Sequence, residues 1–149
     1  MNIETITFRE KTASREEIFA HLKSCDENYK PPLNEKVDIL EYSNKLFEKS
    51  VTFEAWSNKA LVGLVAAYLN DISGRTGYIT NVSVTKDFMG RGIATVLLDM
   101  CLAKSKEYNI NVMRLEVFRG DIQAIDFYHK FGFQEFQSMG DSVLMQLSL

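Results

Sequence analysis

Cysteine, histidine and proline are scarce in this chain, and each scarcity removes a class of chemistry. Only two cysteines, Cys25 and Cys101, occur among the 149 residues, and they stand far apart. In a chain with no secretory signal, that count excludes a disulfide framework and a four-cysteine metal site. Both read as small buried hydrophobes. The two histidines, His21 and His129, fall in no H-E-x-x-H or similar spacing, so no metal centre is expected. The two prolines sit together as Pro31-Pro32. With no linker, repeat or low-complexity tract, one domain spanning residues 1–149 is expected. Long apolar runs are also missing. The longest, Leu61 to Leu69 with Gly63 inside it, is far short of the roughly 20 residues that a bilayer helix needs. The start Met1-Asn2-Ile3-Glu4 lacks the basic and apolar regions of a signal peptide. Nor does one sign of charge dominate: 17 Lys and Arg against 20 Asp and Glu leave a net charge of -3. That balance argues against nucleic acid or an anionic membrane as a partner. The expectation is a soluble, cytoplasmic protein whose 46% hydrophobic content can bury a core.

What is present reads as alternating helices and strands. After a short strand around Ile6 to Glu10, Ser14 and Glu17 form a capping box, and Ile18, Leu22 and Cys25 repeat at helical spacing. Asn34 can cap a second helix through about Lys49, with Val37, Leu40 and Phe47 on one side and Asp38 and Glu41 near its start. From Val51 the period becomes two, and the turn Ser57-Asn58-Lys59 leads into Leu61 to Leu69, which predicts a hairpin. Its second strand is apolar on both faces and so belongs inside a sheet covered on both sides. A third strand, Tyr78 to Val84, carries an irregularity. In a regular strand Ile79 would face away from Val82 and Val84. Either a β-bulge near Asn81 brings the three together, or Ile79 packs on the opposite face of a two-sided sheet. Ile93, Leu97, Met100 and Cys101 then mark a helix, Met113, Leu115 and Val117 a strand, and Ala124, Phe127, Tyr128 and Phe131 a short helix ending at Gly132. Phe133 to Phe136 and Val143 to Leu147 close the chain as strands. The order β-α-α-β-β-β-α-β-α-β-β implies an α+β fold with a mixed sheet.

Gly90-Arg91-Gly92, at the mouth of a helix, suits an anion, because free backbone N–H groups and the helix dipole converge there. Gly-x-Gly alone also fits an ordinary strand-to-helix turn. Two phosphate-binding alternatives fail on inspection. No G-x-x-x-x-G-K-[ST] occurs. A dinucleotide fingerprint would need Gly or Ala where Thr95 stands, and fewer than 60 residues follow it, too few for a second nucleotide-binding half.

The segment Val82-Ser83-Val84-Thr85-Lys86-Asp87-Phe88-Met89-Gly90-Arg91-Gly92-Ile93-Ala94, followed by Leu97-Leu98, resembles the acetyl-CoA-binding motif of the GNAT superfamily of acyltransferases. The loop of that motif reads Arg/Gln-x-x-Gly-x-Gly/Ala. Ala124-Ile125-x-Phe127-Tyr128-x-Lys130-x-Gly132-Phe133 resembles the superfamily's second motif, in the right order and spacing. The likeness covers Phe53 to Phe133, and Pro31 to Phe47 resembles bacterial members of unassigned substrate. It implies a GNAT-type fold: a mixed, mostly antiparallel sheet of about seven strands flanked by about four helices, with splayed central strands. It also implies an N-acetyltransferase that uses acetyl-CoA as co-substrate, without a metal, and often as a homodimer.

Roles follow from the resemblance. The backbone N–H groups of Met89, Gly90, Arg91, Gly92, Ile93, Ala94 and Thr95 would hold the coenzyme A pyrophosphate. The main chain of Val82, Ser83 and Val84, with Ala124 and Asp121 nearby, would line the pantetheine arm, and Tyr128 would protonate the leaving thiolate. Met89 stands where the family has Arg or Gln, and Asp121 where it has Asn; Asp121 can instead cap the short helix. Glu54, Glu116 and Asp71 are carboxylates that could act as a base, beside a water relay, and Arg119, His129 and Lys130 could line the coenzyme phosphates or simply be solvated. Tyr29 to Leu33 and the loop Ser138 to Ser142 are expected to border the site of a small amine. The alternative to an enzyme is a non-catalytic acyl-CoA-binding module on the same fold.

Overall fold

The computed structural model describes residues 5–149. Its strands are β1 (Thr7–Glu10), β2 (Val51–Ser57), β3 (Ala60–Tyr68), β4 (Thr76–Val84), β5 (Val112–Phe118), β6 (Gln134–Met139) and β7 (Ser142–Ser148). Its α-helices are α1 (Arg15–Cys25), α2 (Ile39–Lys49), α3 (Ile93–Glu107) and α4 (Ile122–Phe131). The seven strands form one sheet in the order β1-β2-β3-β4-β5-β7-β6, antiparallel throughout except for the parallel pair β4–β5. This is the order of elements expected from the sequence, and α3 and α4 fall where periodicity put them. Among the described residues no helix is long and apolar enough to cross a membrane.

Local chemistry explains most of the elements. Ser14 accepts from the Glu17 N–H while the Glu17 side chain accepts from the Ser14 N–H, so the capping box of α1 forms; a cap of this kind is worth about 1 kcal/mol. Asn58 and Lys59 both have positive φ, 49° and 68°, the sign that lets a two-residue turn follow the twist of the β2–β3 hairpin.

The second helix differs from expectation. It begins at Ile39, and the cap is Asp38, whose carboxylate accepts from the Glu41 N–H at 3.0 Å. Asn34 lies in a separate short 3-10 turn, Leu33–Glu35. The buried side carries Ile39, Ser43 and Leu46, whereas Leu40 and Phe47 are exposed. Neighbouring residues on a helix point about 100° apart, so with Ile39 and Leu46 turned inward, Leu40 and Phe47 point to solvent.

The sheet is covered on both sides, as the doubly apolar β3 required. α1 and α2 pack on one face over Leu64, Ala66 and Trp56. α3 and α4 pack on the other over Val65, Ala67, Ile79 and Leu115. Both cysteines are buried and free. Gly63 lets the first turn of α3 approach β3: a Cβ there would stand 2.7 Å from Cγ2 of Ile93, closer than packed atoms tolerate.

Candidate functional site

The site begins with one extra residue in β4. Ala66 of β3 pairs with Asn81, but Ala67 pairs with Ile79, so Thr80 has no partner in the ladder. This bulge places Ile79, Val82 and Val84 together against the α3/α4 side of the core, which decides between the two arrangements the sequence left open. Tyr42 covers the bulge: its hydroxyl donates to the Thr80 carbonyl at 2.7 Å. Such a bond replaces one the ladder cannot make.

Beyond the bulge β4 leaves β5. Their parallel pairing runs only from Thr76 with Val112 to Ile79 with Leu115, and the remainder of β5 pairs with β7 alone. Thr85 donates its N–H to the Val62 carbonyl across β3 at 2.9 Å. Successive residues of a strand point their backbone groups to opposite edges, so the N–H and C=O of Val84 and Val82 point into the gap.

A cavity of about 450 Å³ occupies that gap. Val82, Ser83 and Val84 form one wall, Met89, Gly90, Gly92, Ile93, Ala94 and Thr95 the mouth, and Asp121, Ala124 and Tyr128 the opposite wall. Every residue expected to bind the cofactor or act on it lines one cavity except Arg91, although the Met89 N–H is already donated to the Lys86 carbonyl at 3.3 Å. Arg91 points elsewhere, with Nη2 donating to the Asp87 carbonyl at 3.0 Å and its guanidinium 4.7 Å from the Phe88 ring centre. Asn28, Tyr29, Phe88, Gln123 and Phe127 also line the cavity and had not been assigned to it.

At the mouth, Gly90 and Gly92 have φ of 77° and 79°, and a Cβ at either would face open space. Their conformation, not crowding, requires glycine. The hydrogen-bond ladder of α3 starts with the Val96 N–H on the Gly92 carbonyl at 3.2 Å. Among the described residues, no carbonyl accepts the N–H of Gly90, Gly92, Ile93, Ala94 or Thr95. A helix mouth with this many unsatisfied donors and the positive end of its dipole fits a pyrophosphate.

Tyr128 is held from both ends of α4. Asp121 caps the helix by accepting from the Ala124 N–H at 3.2 Å. Gly132, at φ 103°, ends it, with the Phe133 N–H returning to the Tyr128 carbonyl at 3.1 Å. The ring packs edge-on against Phe127 and Phe133. Burial first, and then the nearby Asp121 carboxylate, push the phenol pKa upward, so the hydroxyl keeps its proton at any working pH.

A second cavity, of about 310 Å³, continues from the first beneath the segment joining α1 to α2 and shares Asn28, Tyr29, Val82, Asp121, Ala124 and Tyr128 with it. Of the three carboxylates considered as bases, only Glu116 borders this space, and it accepts from the Ser142 hydroxyl at 2.6 Å. Glu54 lines neither cavity. It is fully buried and accepts from the N–H groups of Thr12 and Ala13, the hydroxyls of Thr12 and Thr52, and the indole of Trp56, a structural load that ties the approach to α1 onto β2. Asp71 closes a surface turn through the Gly74 N–H. Tyr29, Lys30 and Leu33 border the second cavity, whereas Ser138 to Ser142 line neither cavity; Ser142 touches the lining through Glu116 and through its pairing with Phe118. Arg119, His129 and Lys130 are exposed and line neither cavity; Arg119 pairs with Glu135 at 3.3 Å.

The family model for the acetyltransferase (GNAT) family matches residues 15–133. The chain belongs to the GNAT acetyltransferase family. None of the curated proteins matches it in sequence. Solved structures of similar fold include a GNAT-family acetyltransferase from Staphylococcus aureus Mu50, 21% identical with a TM-score of 0.76 over 97% of this chain and 99% of that one. The PaiA N-acetyltransferase from Thermoplasma acidophilum, solved in complex with coenzyme A, is 16% identical with a TM-score of 0.76 over 97% and 99% of the chains. The ribosomal-protein-S18-alanine N-acetyltransferase from Escherichia coli is 16% identical with a TM-score of 0.74 over 98% and 94%. In this GNAT fold the loop Met89 to Gly92 and the splayed end of β4 border the same cavity.

Proposed function

We propose that this acetyltransferase moves the acetyl group of acetyl-CoA onto a primary amine of a small molecule by direct attack in a ternary complex. The observation that carries the proposal is the gap between β4 and β5, which opens at one end onto unpaired N–H groups at Gly90, Gly92 and Ile93 to Thr95. An acyl-CoA needs both: a slot for an extended arm and an anion site at its mouth. Val82 and Val84 would pair with the arm as a neighbouring strand does, and the N–H near Val82 would hold the acyl oxygen. The thioester supplies an activated acyl group. Tyr128 is the donor for the sulfur. Its raised pKa makes it a persistent hydrogen-bond donor, and in the balance of the reaction one proton leaves the amine and one reaches the thiol.

Calorimetry with coenzyme A is the first test, and micromolar to millimolar binding is expected. No binding up to millimolar concentration would refute both the function and the cofactor-site residues. Thiol release from acetyl-CoA is then followed with spermidine, 2-phenylethylamine, an amino sugar and a peptide with a free N-terminus. Turnover with any of them supports transfer; coenzyme A binding with no turnover on a broad panel would favour a non-catalytic binding module.

A further inference from the structure

On the α1/α2 side of the bulge, β4 presents two buried polar residues, Asn81 and Ser83. They belong to a continuous line of contacts. Tyr29 Oη lies 2.8 Å from the Asn81 amide, and the other end of that amide lies 2.8 Å from Ser83 Oγ. Ser83 Oγ is 2.9 Å from His21 Nε2, and His21 Nδ1 is 3.2 Å from the Leu61 carbonyl oxygen. As the amide is placed, Nδ2 donates to Tyr29 and Oδ1 accepts from Ser83. In that sense His21 must donate from both ring nitrogens and be an imidazolium cation.

The two ends of an amide have the same shape, so turning it over preserves every contact and reverses the direction of donation. The far end of the chain selects the sense. A carbonyl oxygen only accepts, so the His21 proton sits on Nδ1. The ring is 3% exposed and, among the described residues, pairs with no carboxylate, its further neighbour being the Cys25 thiol at 3.8 Å, and burial lowers its pKa to about 4. At neutral pH it therefore carries one proton, and Nε2 accepts from the Ser83 hydroxyl. Ser83 then accepts from the Asn81 NH₂ group, and the Asn81 oxygen accepts from Tyr29. Every donor and acceptor in the line is satisfied this way with no buried charge. The Tyr29 proton is committed inward, so the side of its oxygen that faces the two cavities offers lone pairs.

We propose that Tyr29 accepts an N–H hydrogen bond from the attacking amine where the two cavities meet, with Asn81, Ser83 and His21 as positioning residues that keep its proton turned away. The proposal rests on the acetyl-transfer reading. It gives the junction two phenols of opposite sense: Tyr128 donates toward sulfur, and Tyr29 accepts from nitrogen. An amine whose N–H is held in this way directs its lone pair elsewhere, and a primary amine keeps a second N–H for solvent or Glu116.

The test has two arms. In ¹⁵N-labelled protein at pH 7, with His129→Gln separating the two histidines, the His21 ring is expected as the Nδ1–H tautomer. The Nε2–H tautomer or the doubly protonated ring would overturn the proposed sense of the chain. In the second arm Tyr29→Phe is assayed with 2-phenylethylamine and spermidine. One lost hydrogen bond predicts a KM for the amine raised about tenfold, with kcat and the Kd for coenzyme A within about twofold of wild type. Weakened coenzyme A binding with an unchanged amine KM would place Tyr29 on the pantetheine arm and overturn the proposal. Wild-type protein that binds no coenzyme A would overturn the acetyl-transfer reading and this role together, whereas intact binding with an unaltered amine KM overturns this role alone.

Discussion

Acidification from pH 7 to 5 is expected to cost the fold about 2 kcal/mol through His21 alone. The ring is inside the α1/β3/β4 packing, and its pKa falls from 6.5 to about 4 because burial penalises the cation. The backbone carbonyls of Leu61 and Ser83 only partly offset that penalty. In the unfolded chain the same ring titrates near 6.5. Between the two values the unfolded state binds a proton that the folded state refuses, so stability is complete above about pH 6.5 and is lost progressively toward pH 4. Each pKa unit is worth about 1.4 kcal/mol, so the total approaches roughly 3 kcal/mol at pH 4. Carboxylates titrate in the same range, and a variant isolates the histidine. His21→Gln keeps a donor for Leu61 and an acceptor for Ser83 but cannot ionise. Urea unfolding of both proteins at half-unit pH steps, with m held in common, gives the difference directly. The wild-type curve should fall below the variant's by about 2 kcal/mol between pH 7 and 5. Parallel curves over that interval would refute both the neutral state assigned to His21 and the sense of the chain that depends on it.

Glu54→Gln should destabilise the protein by roughly 3 kcal/mol in urea unfolding, because either orientation of the new amide points N–H groups at the donors that now converge on the carboxylate. Coenzyme A binding by the folded fraction should be unaffected, and a loss confined to activity would mark Glu54 as functional after all. Gly92→Ala meets no atom but must hold φ near 79°, which costs about 1–2 kcal/mol; calorimetry should show coenzyme A affinity down about tenfold, and unchanged affinity would remove the helix mouth from the site. Tyr128→Phe keeps the ring packing and should lower kcat about a hundredfold or more with little change in the Kd for coenzyme A; an unaltered kcat would exclude Tyr128 from the chemistry.

The legible parts of the chain were those where two signals agreed. For α1 the capping box and the spacing of Ile18, Leu22 and Cys25 pointed to the same boundaries. For α2 they competed. Val37, Leu40 and Phe47 fit a helical period and both Asn34 and Asp38 can cap, so the choice of Asn34 set the start too early, and the period set the wrong face. The pair Asp38-x-x-Glu41, acid three residues after a cap, was the discriminating signal. Ile79 was informative because it broke alternation with Val82 and Val84, and a broken period in an otherwise regular strand is what a bulge looks like in sequence. The expectation for Arg91 concerned its backbone N–H; its side chain turns to the Asp87 carbonyl and the Phe88 ring, contacts that its local sequence does not reveal. Tyr29 was expected only at the border of the acceptor site, because its contacts with residues 52 positions away exist only after folding. One signal could have found its partners. Once β3 is known to be covered on both faces, Asn81 and Ser83 on the adjacent strand must be buried too, and buried polar side chains require partners.

The bulge at Thr80 connects these observations. A regular β4 could have continued its ladder with β5 to Phe118, closing the slot, and its side chains would have kept strict alternation. One inserted residue ends the pairing at Ile79 and Leu115, which frees the edge of β4 where Val82 and Val84 face the gap. The same insertion resets which residues point to each side, so Val82 and Val84 join the α3/α4 core while Asn81 and Ser83 turn toward His21 and Tyr29. The slot proposed for the acyl donor and the polar line proposed to lie beneath the amine therefore share one cause, on opposite faces of one strand. Restoring the register by deleting Thr80 should remove both at once: the slot, read as lost coenzyme A binding, and the chain, read as a changed His21 tautomer. Loss of one with retention of the other would show that the two features are held independently.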